Sequence, residues 1–377
     1  MKSRATILHA ARDHLPSKFQ CGGQIVVMVW ERLVDAVRWW GLNLHRLSLI
    51  GRPFSRCVRM PCAFPYKDSA AALLVECVIG VCNGVMTQAQ QTPWTSIATQ
   101  RLSKAWHWLD AVLTPAALPL GTQPEEHGLQ AIAVRIPAAL GLQLFGWYAP
   151  SGLPGLRPAA VLLHGWGGNA NDLLPAAKTL HEAGYTVLLV EARNHGRSDC
   201  DGHSSLPRFA EDLDCAIDWL AAQPGVDAGA LVAMGHSVGA AAALLSASRR
   251  SDLAAVVSVS SFAHPEQLMQ RWLAERRVPY WPMGWLVNRY LERVIGARYD
   301  DIAPVNTLAK ASCPILLVHG LQDTTVPVMD ARRIWQNRSG AQATLIECDG
   351  THDAFDDVHA VTRQILTFLG PVVRLGT

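Results

Sequence analysis

Residues 231–245, LVAMGHSVGAAAALL, place a serine between two glycines where an apolar run gives way to an alanine-rich one. The run ALVAMG, 230–235, has the length and apolar character of a buried strand, and the alanines after it are strong helix formers. A strand entering a helix through Gly235-His236-Ser237-Val238-Gly239 must turn sharply, and the small flanking residues permit this. Such a turn would expose the Ser237 hydroxyl beside the free amides of a helix start. The bland alternative is that Ser237 is merely a small residue in a tight turn. A serine hydroxyl is a weak nucleophile that needs a base in hydrogen-bond reach and a third group to orient that base. The rest of the chain therefore decides between the two.

Outward from this stretch the same rhythm repeats. AAVLLH (159–164), YTVLLVEA (185–192), LAAVVSVS (253–260), PILLVHG (314–320) and ATLIECDG (343–350) are apolar runs ending in polar residues or glycine. They read as strands covered on both faces, with ligands expected at their carboxyl ends. LQAIAVRI and LQLFGWYAP read as a leading hairpin. Between the runs, residues 171–183, stopped by Gly184, and 207–223, with Phe209, Leu213, Ile217 and Leu220 on one face, predict helices. The pattern is that of a mostly parallel sheet flanked by helices, an α/β fold. About fifty residues between Ser260 and Pro314 are too many for one crossover. They predict a helical cap at about 262–306, broken at Pro279, Pro282 and Gly284 and rich in aromatics: Trp272, Tyr280, Trp281, Trp285 and Tyr290. Some of these rings are expected to line a ligand site; gluing the cap to the body is the competing role.

The order of possible partners tests Ser237 independently. PILLVHG leads into LQDTTVP, placing Asp323 beyond one strand end, and ATLIECDG leads into THDAF, placing His352 beyond the next. Asp349 and Asp353 lie too close to His352 in sequence to reach its far nitrogen and read as loop or capping groups. His319 reads as a strand-end packing residue and His359 as part of the last helix. Ser237, Asp323 and His352 in that order, with HGWGG at 164–168, resemble the α/β-hydrolase family, most closely its esterase and serine-aminopeptidase-like members. The resemblance covers roughly residues 130–370.

The resemblance implies an α/β-hydrolase fold, Ser237 as nucleophile, His352 as general base and then acid, and Asp323 as the group that orients it. It also implies an oxyanion hole from the backbone N–H groups of Trp166 and Val238. RNHGRSD, 193–199, resembles the family's R-x-x-G-x-S turn and is expected to be structural. HGWGG in place of the HGGG of lipase-like members lets Trp166 overhang the site. Trp166, His236, Trp272, Trp281 and Trp285 are the substrate-pocket candidates. A serine at the elbow excludes the aspartate-nucleophile reactions that the same fold hosts. The expected activity is hydrolysis of small to medium carboxylic esters through an acyl-enzyme. Acyl transfer, thioester cleavage and peptide cleavage use the same triad and stay open as alternatives.

Gly165, Gly167 and Ala170 also match G-x-G-x-x-A, with Glu191 where a ribose-binding acid would stand, so an NAD(P)-binding oxidoreductase is a rival. It gives no reason for Ser237, Asp323 and His352 to occupy three strand ends in order. A catalytically silent binding protein would have lost a triad member, and none is lost. No H-E-x-x-H, EF-hand or phosphate-loop pattern occurs, and no cofactor or metal is expected.

Of 377 residues half are hydrophobic, and the formal charge of +2 argues against a polyanionic partner such as nucleic acid. The charge is uneven: residues 1–85 carry net +6 and the remainder net −4. Three readings compete for 1–85. Cys57, Cys62, Cys77 and Cys82 have metal-site spacing, but the second pair lies in an apolar run rather than a polar knuckle. SAAALLVECVIGVCNGVM, 69–86, has the length of a membrane span, but Glu76 sits in its middle and Gly80, Asn83 and Gly84 weaken its end. The favoured expectation is a poorly structured extension, read from a start assigned upstream of Met86, followed by a helical lead-in over 86–128 with a helix around 97–113, then the hydrolase domain over 129–377. Cys200, Cys215, Cys313 and Cys348 show no disulfide framework, so a cytoplasmic protein is expected, acting on a small-molecule ester without stable membrane insertion. A homo-oligomer is left open.

Overall fold

The computed structural model describes residues 113–115 and 121–371. The expectations for residues 1–85, the metal and membrane readings among them, fall outside these residues. So does the helix around 97–113, apart from Leu113.

Among the described residues eight strands form one sheet: β1 (Ile132–Pro137), β2 (Gln143–Ala149), β3 (Arg157–Leu163), β4 (Thr186–Glu191), β5 (Val226–His236), β6 (Leu253–Val259), β7 (Ile315–Gly320) and β8 (Ala343–Cys348). The order is β1-β2-β4-β3-β5-β6-β7-β8. β1 and β2 pair antiparallel as the expected leading hairpin, and β2 is antiparallel to β4. From β4 to β8 every pairing is parallel. β3, β4 and β7 are buried along almost their whole length, which explains their unbroken Val, Leu and Ile runs.

Helices cover both faces: α1 (Leu174–Glu182), α2 (Leu206–Ala221), α3 (Val238–Ala247), α4 (Pro265–Glu275), α5 (Trp285–Ile295), α6 (Val328–Gln336) and α7 (Val358–Leu369). α3 is buried at every residue. Its alanines let the backbone approach β5 and α2 closely, and its high helix propensity sustains ten residues with no polar face. α2 buries Leu206, Phe209, Leu213, Ile217 and Leu220 on one side, as its spacing predicts.

Two boundaries depart from expectation. The helix foreseen at 171–183 begins as a 3-10 turn, Ala170–Leu173, capped by Asn169, and becomes α-helical only at Leu174. The strand foreseen at 230–235 starts at Val226, where pairing with Arg157 draws the polar Asp227-Ala228-Gly229 stretch into the sheet before the register shifts. The cap is α4 and α5 joined by a π-turn at Tyr280–Gly284, followed by single helical turns at Tyr299–Ile302 and Pro304–Thr307. Arg271 and the Ala263 amide on buried Asp330 tie it to α6. No helix of the described residues is long and apolar enough to cross a membrane.

Candidate active site

The sheet register explains why distant loops meet. Leu163 of β3 lies opposite Gly235 of β5. Two residues beyond each are Gly165 and Ser237, and a Cβ added to Gly165 would lie 3.1 Å from Ser237 Cβ. A Cβ on Gly239 would overlap Leu163 O and press on His164 O, while one on Gly235 would overlap the Gly239 backbone. Both glycines of the elbow are therefore there for close approach. Ser237 has φ 54° and ψ −113°, a left-handed conformation that costs a non-glycine residue on the order of 1–3 kcal/mol. The Ser237 N–H bonded to Val259 O at 2.9 Å and the helix that follows hold it there. Val238 is the first residue of α3, so its N–H has no acceptor within the helix.

Gly320 of β7 lies opposite Cys348 of β8, and the loops beyond them carry Asp323 and His352. His352 Nδ1 is 2.7 Å from Asp323 Oδ2, and His352 Nε2 is 3.0 Å from Ser237 Oγ. A carboxylate only accepts, so Nδ1 carries the proton and Nε2 presents a lone pair to the Ser237 hydroxyl. Asp323 Oδ1 accepts from the Thr325 and Val326 amides at 2.9 and 2.7 Å. Burial works to raise the Asp323 carboxyl, but the hydrogen bonds from His319, His352 and Val326 outweigh it and hold the group well below the usual carboxylate range.

Two further histidines lock the 164–168 loop. His164 Nδ1–H donates to Gly165 O at 2.7 Å, and its Nε2 accepts from the Ala192 amide at 3.1 Å. His195 Nδ1–H donates to Arg193 O at 2.9 Å, and its Nε2 accepts the Gly167 N–H at 3.1 Å. Each imidazole therefore spends its acceptor nitrogen between this loop and the 192–195 turn and fits only when neutral. Burial pushes His164 down to about 3, helped by the nearby His195, and burial also lowers His195. Trp166 stacks on buried Phe209 at 6.2 Å and is 38% exposed.

His236 Nε2–H donates to the His352 carbonyl at 2.8 Å, pinning the loop that carries His352. Burial lowers His236 as well. His236, His352 and Asp353 each bring a potential metal-ligand atom within 4.8 Å of the others. Both ring nitrogens of His352 are engaged, as is Nε2 of His236, leaving two uncommitted donors where a zinc-type site needs three or four.

The structure thus brings Ser237, Asp323, His352, His236 and the Gly165-Trp166 turn together. Trp272, Trp281 and Trp285 sit on the cap: Trp272 beneath the Arg276 guanidinium, the other two paired at 5.8 Å with Trp281 71% exposed. Glu191 does not stand where a ribose-binding acid would. Its side chain turns inward to accept the Arg197 amide, and a Cβ on Gly196 would overlap it. That removes the support for the dinucleotide reading. The 193–199 turn is a structural device, as expected, with Arg193 buried on Asp212.

Residues 156–301 match the profile of the family described as serine aminopeptidase, S33. A solved esterase from Pyrococcus furiosus superposes with TM-score 0.57, covering 69% of this chain and 98% of its own, at 20% identity that speaks for the fold alone. This chain has the α/β-hydrolase fold. The chain is also 28% identical over 230 residues to the protein YqkD of Bacillus subtilis, across 59% of this chain and 73% of that one. It is 31% identical over 194 residues to Rv2307c of Mycobacterium tuberculosis, across 52% of this chain and 62% of that one. Sequence reasoning passed over the binding roles of His164, His195 and His319, because their partners are mostly backbone groups that leave no residue-type signal.

Proposed function

We propose that this α/β-hydrolase is a serine esterase acting on small to medium carboxylic esters. The observation that carries the reading is the unbroken chain of contacts from Asp323 Oδ2 through both nitrogens of His352 to Ser237 Oγ, at 2.7 and 3.0 Å. Ser237 Oγ attacks the acyl carbonyl as its proton passes to His352 Nε2. The carbonyl oxygen, now negative, is received by the N–H groups of Val238 and Trp166. His352 gives the proton to the leaving alkoxide, leaving an acyl group on Ser237. Water then attacks that acyl group, losing its proton to His352, and the acid departs as Ser237 regains its hydrogen. Asp323 stays ionised throughout and holds the Nδ1–H tautomer.

The test is hydrolysis of chromogenic esters of increasing acyl length by the native protein and by Ser237→Ala. Turnover that vanishes in the variant while the fold persists supports the reading. Substantial activity in Ser237→Ala would refute it.

A further inference from the structure

We propose that His319, the penultimate residue of β7, is a positioning residue whose Nε2–H fixes the Asp323–Val326 turn and, through it, the carboxylate that orients His352. The proposal rests on the triad assignment above. His319 is fully buried in a strand whose preceding residues, Ile315, Leu316, Leu317 and Val318, are all aliphatic. Packing alone would be served by another leucine there, and burying an imidazole costs desolvation unless its polar atoms are used. One of them is. His319 Nε2 lies 2.7 Å from Val326 O and 3.3 Å from Asp323 Oδ2.

A carbonyl only accepts, so Nε2 carries the hydrogen. The shorter contact is the main bond, and the carboxylate contact is the weaker branch of a shared donor. Nδ1 is buried without a protein partner among the described residues.

The Val326 peptide is consequently held at both ends. Its N–H donates to Asp323 Oδ1 at 2.7 Å and its C=O accepts from His319. Asp323 has four donors around it: the Thr325 and Val326 amides on Oδ1, and His352 and His319 on Oδ2. Removing the imidazole strips a donor from the buried Val326 carbonyl and from Oδ2 together. The ionisable groups around this arrangement are His352 on the far side of Asp323, His236 and Asp353 beyond it, and Glu347 opposite His319 on β8, which is engaged by Arg332.

The experiment measures kcat, KM and the pH profile on p-nitrophenyl acetate for the full chain, His319→Leu and His319→Gln, with active sites counted by fluorophosphonate labelling. In His319→Leu, kcat per labelled site should fall roughly ten- to a hundredfold with KM held, the effect of leaving the buried Val326 carbonyl without its donor and the carboxylate with one donor fewer. Its acid limb should move to higher pH, because a carboxylate with one donor fewer attracts the charge that develops on its imidazole partner more strongly. His319→Gln, whose amide N–H reaches the same region, should recover most of both. Should His319→Leu not fold, His319→Asn, too short to span both acceptors, takes its place with the same expectation. An unmoved or lowered limb, an unchanged kcat per site, or Gln no better than Leu would overturn the proposal. Failure of the triad assignment shows separately, as Ser237 unlabelled in the native chain or Ser237→Ala still active, and takes this proposal with it.

Discussion

The strand-end loops and the cap differ in how much of their surface and polar groups they leave unmatched. At the loops the triad and its supports are tied in: Asp323 accepts from backbone and imidazole, His352 is engaged at both nitrogens, and His164, His195 and His236 each tie two segments together. In the cap, Trp281 is 71% exposed, Trp285 and Leu286 are exposed, and buried Asn288 has neither amide atom partnered by protein among the described residues. Preorganised groups make chemistry possible because they need no rearrangement as charge develops. Exposed aromatic area of this kind is what a substrate wall needs. On the proposed reading the chemistry belongs to the loops and substrate choice to the cap.

Three changes should break the rigid half. Ser237→Ala should lower ester turnover by roughly four to six decades with an unchanged circular dichroism spectrum, since triad members act as a unit. Gly239→Ala forces a methyl into the Leu163 and His164 carbonyls and should cost more than about 4 kcal/mol, read as loss of soluble protein or a collapsed denaturation midpoint. An ordinary midpoint would mean that the elbow is looser than its contacts require. The third change is of pH. His164 is lowered to about 3 in the folded state, while an unfolded histidine titrates near about 6.5. Above about 6.5 neither state binds the proton. As pH falls from there toward 3 only the unfolded chain does, so stability should decline by about 1.4 kcal/mol per unit from this group. Urea midpoints at pH 7 and pH 5 measure it, and His195 and His236, also lowered, add to the same direction. A midpoint flat across that range would contradict the neutral imidazole ties.

The cap should respond in the opposite manner. Trp281→Ala should leave stability within about 0.5 kcal/mol, as exposed positions do, and change KM across the acyl series more than kcat. Asn288→Leu should leave the melting temperature unchanged or slightly higher, because it removes an unmatched buried amide. A marked fall in melting temperature would show that the amide is matched after all.

How much of this was legible in the sequence follows the same divide. Ser237, Asp323 and His352 could be read because each stands just past an apolar run, in an order that one fold explains. The glycines of the elbow could be read because close backbone approach demands them. His319 could not, since a histidine at the end of an aliphatic run looks like packing until the Val326 carbonyl is found 2.7 Å away. Glu191 misled for the same reason: its position suited a ribose, and only the inward turn to the Arg197 amide shows its use. The early start of β5 at Val226 was hidden because Asp227-Ala228-Gly229 has no strand propensity of its own. In the cap, the predicted breaks at Pro279, Pro282 and Gly284 fall in and beside the π-turn. Which rings face a substrate depends on shape that periodicity does not encode.

The central claim is that Ser237 is a nucleophile activated by His352 and Asp323. Its most direct measurement is fluorophosphonate labelling of the full chain, followed by intact mass and peptide mapping. The account predicts one adduct per chain, on Ser237, absent from Ser237→Ala and slowed by several decades in His352→Ala. Ester turnover persisting in a chain whose Ser237 stays unlabelled, or whose adduct maps to another residue, would contradict it.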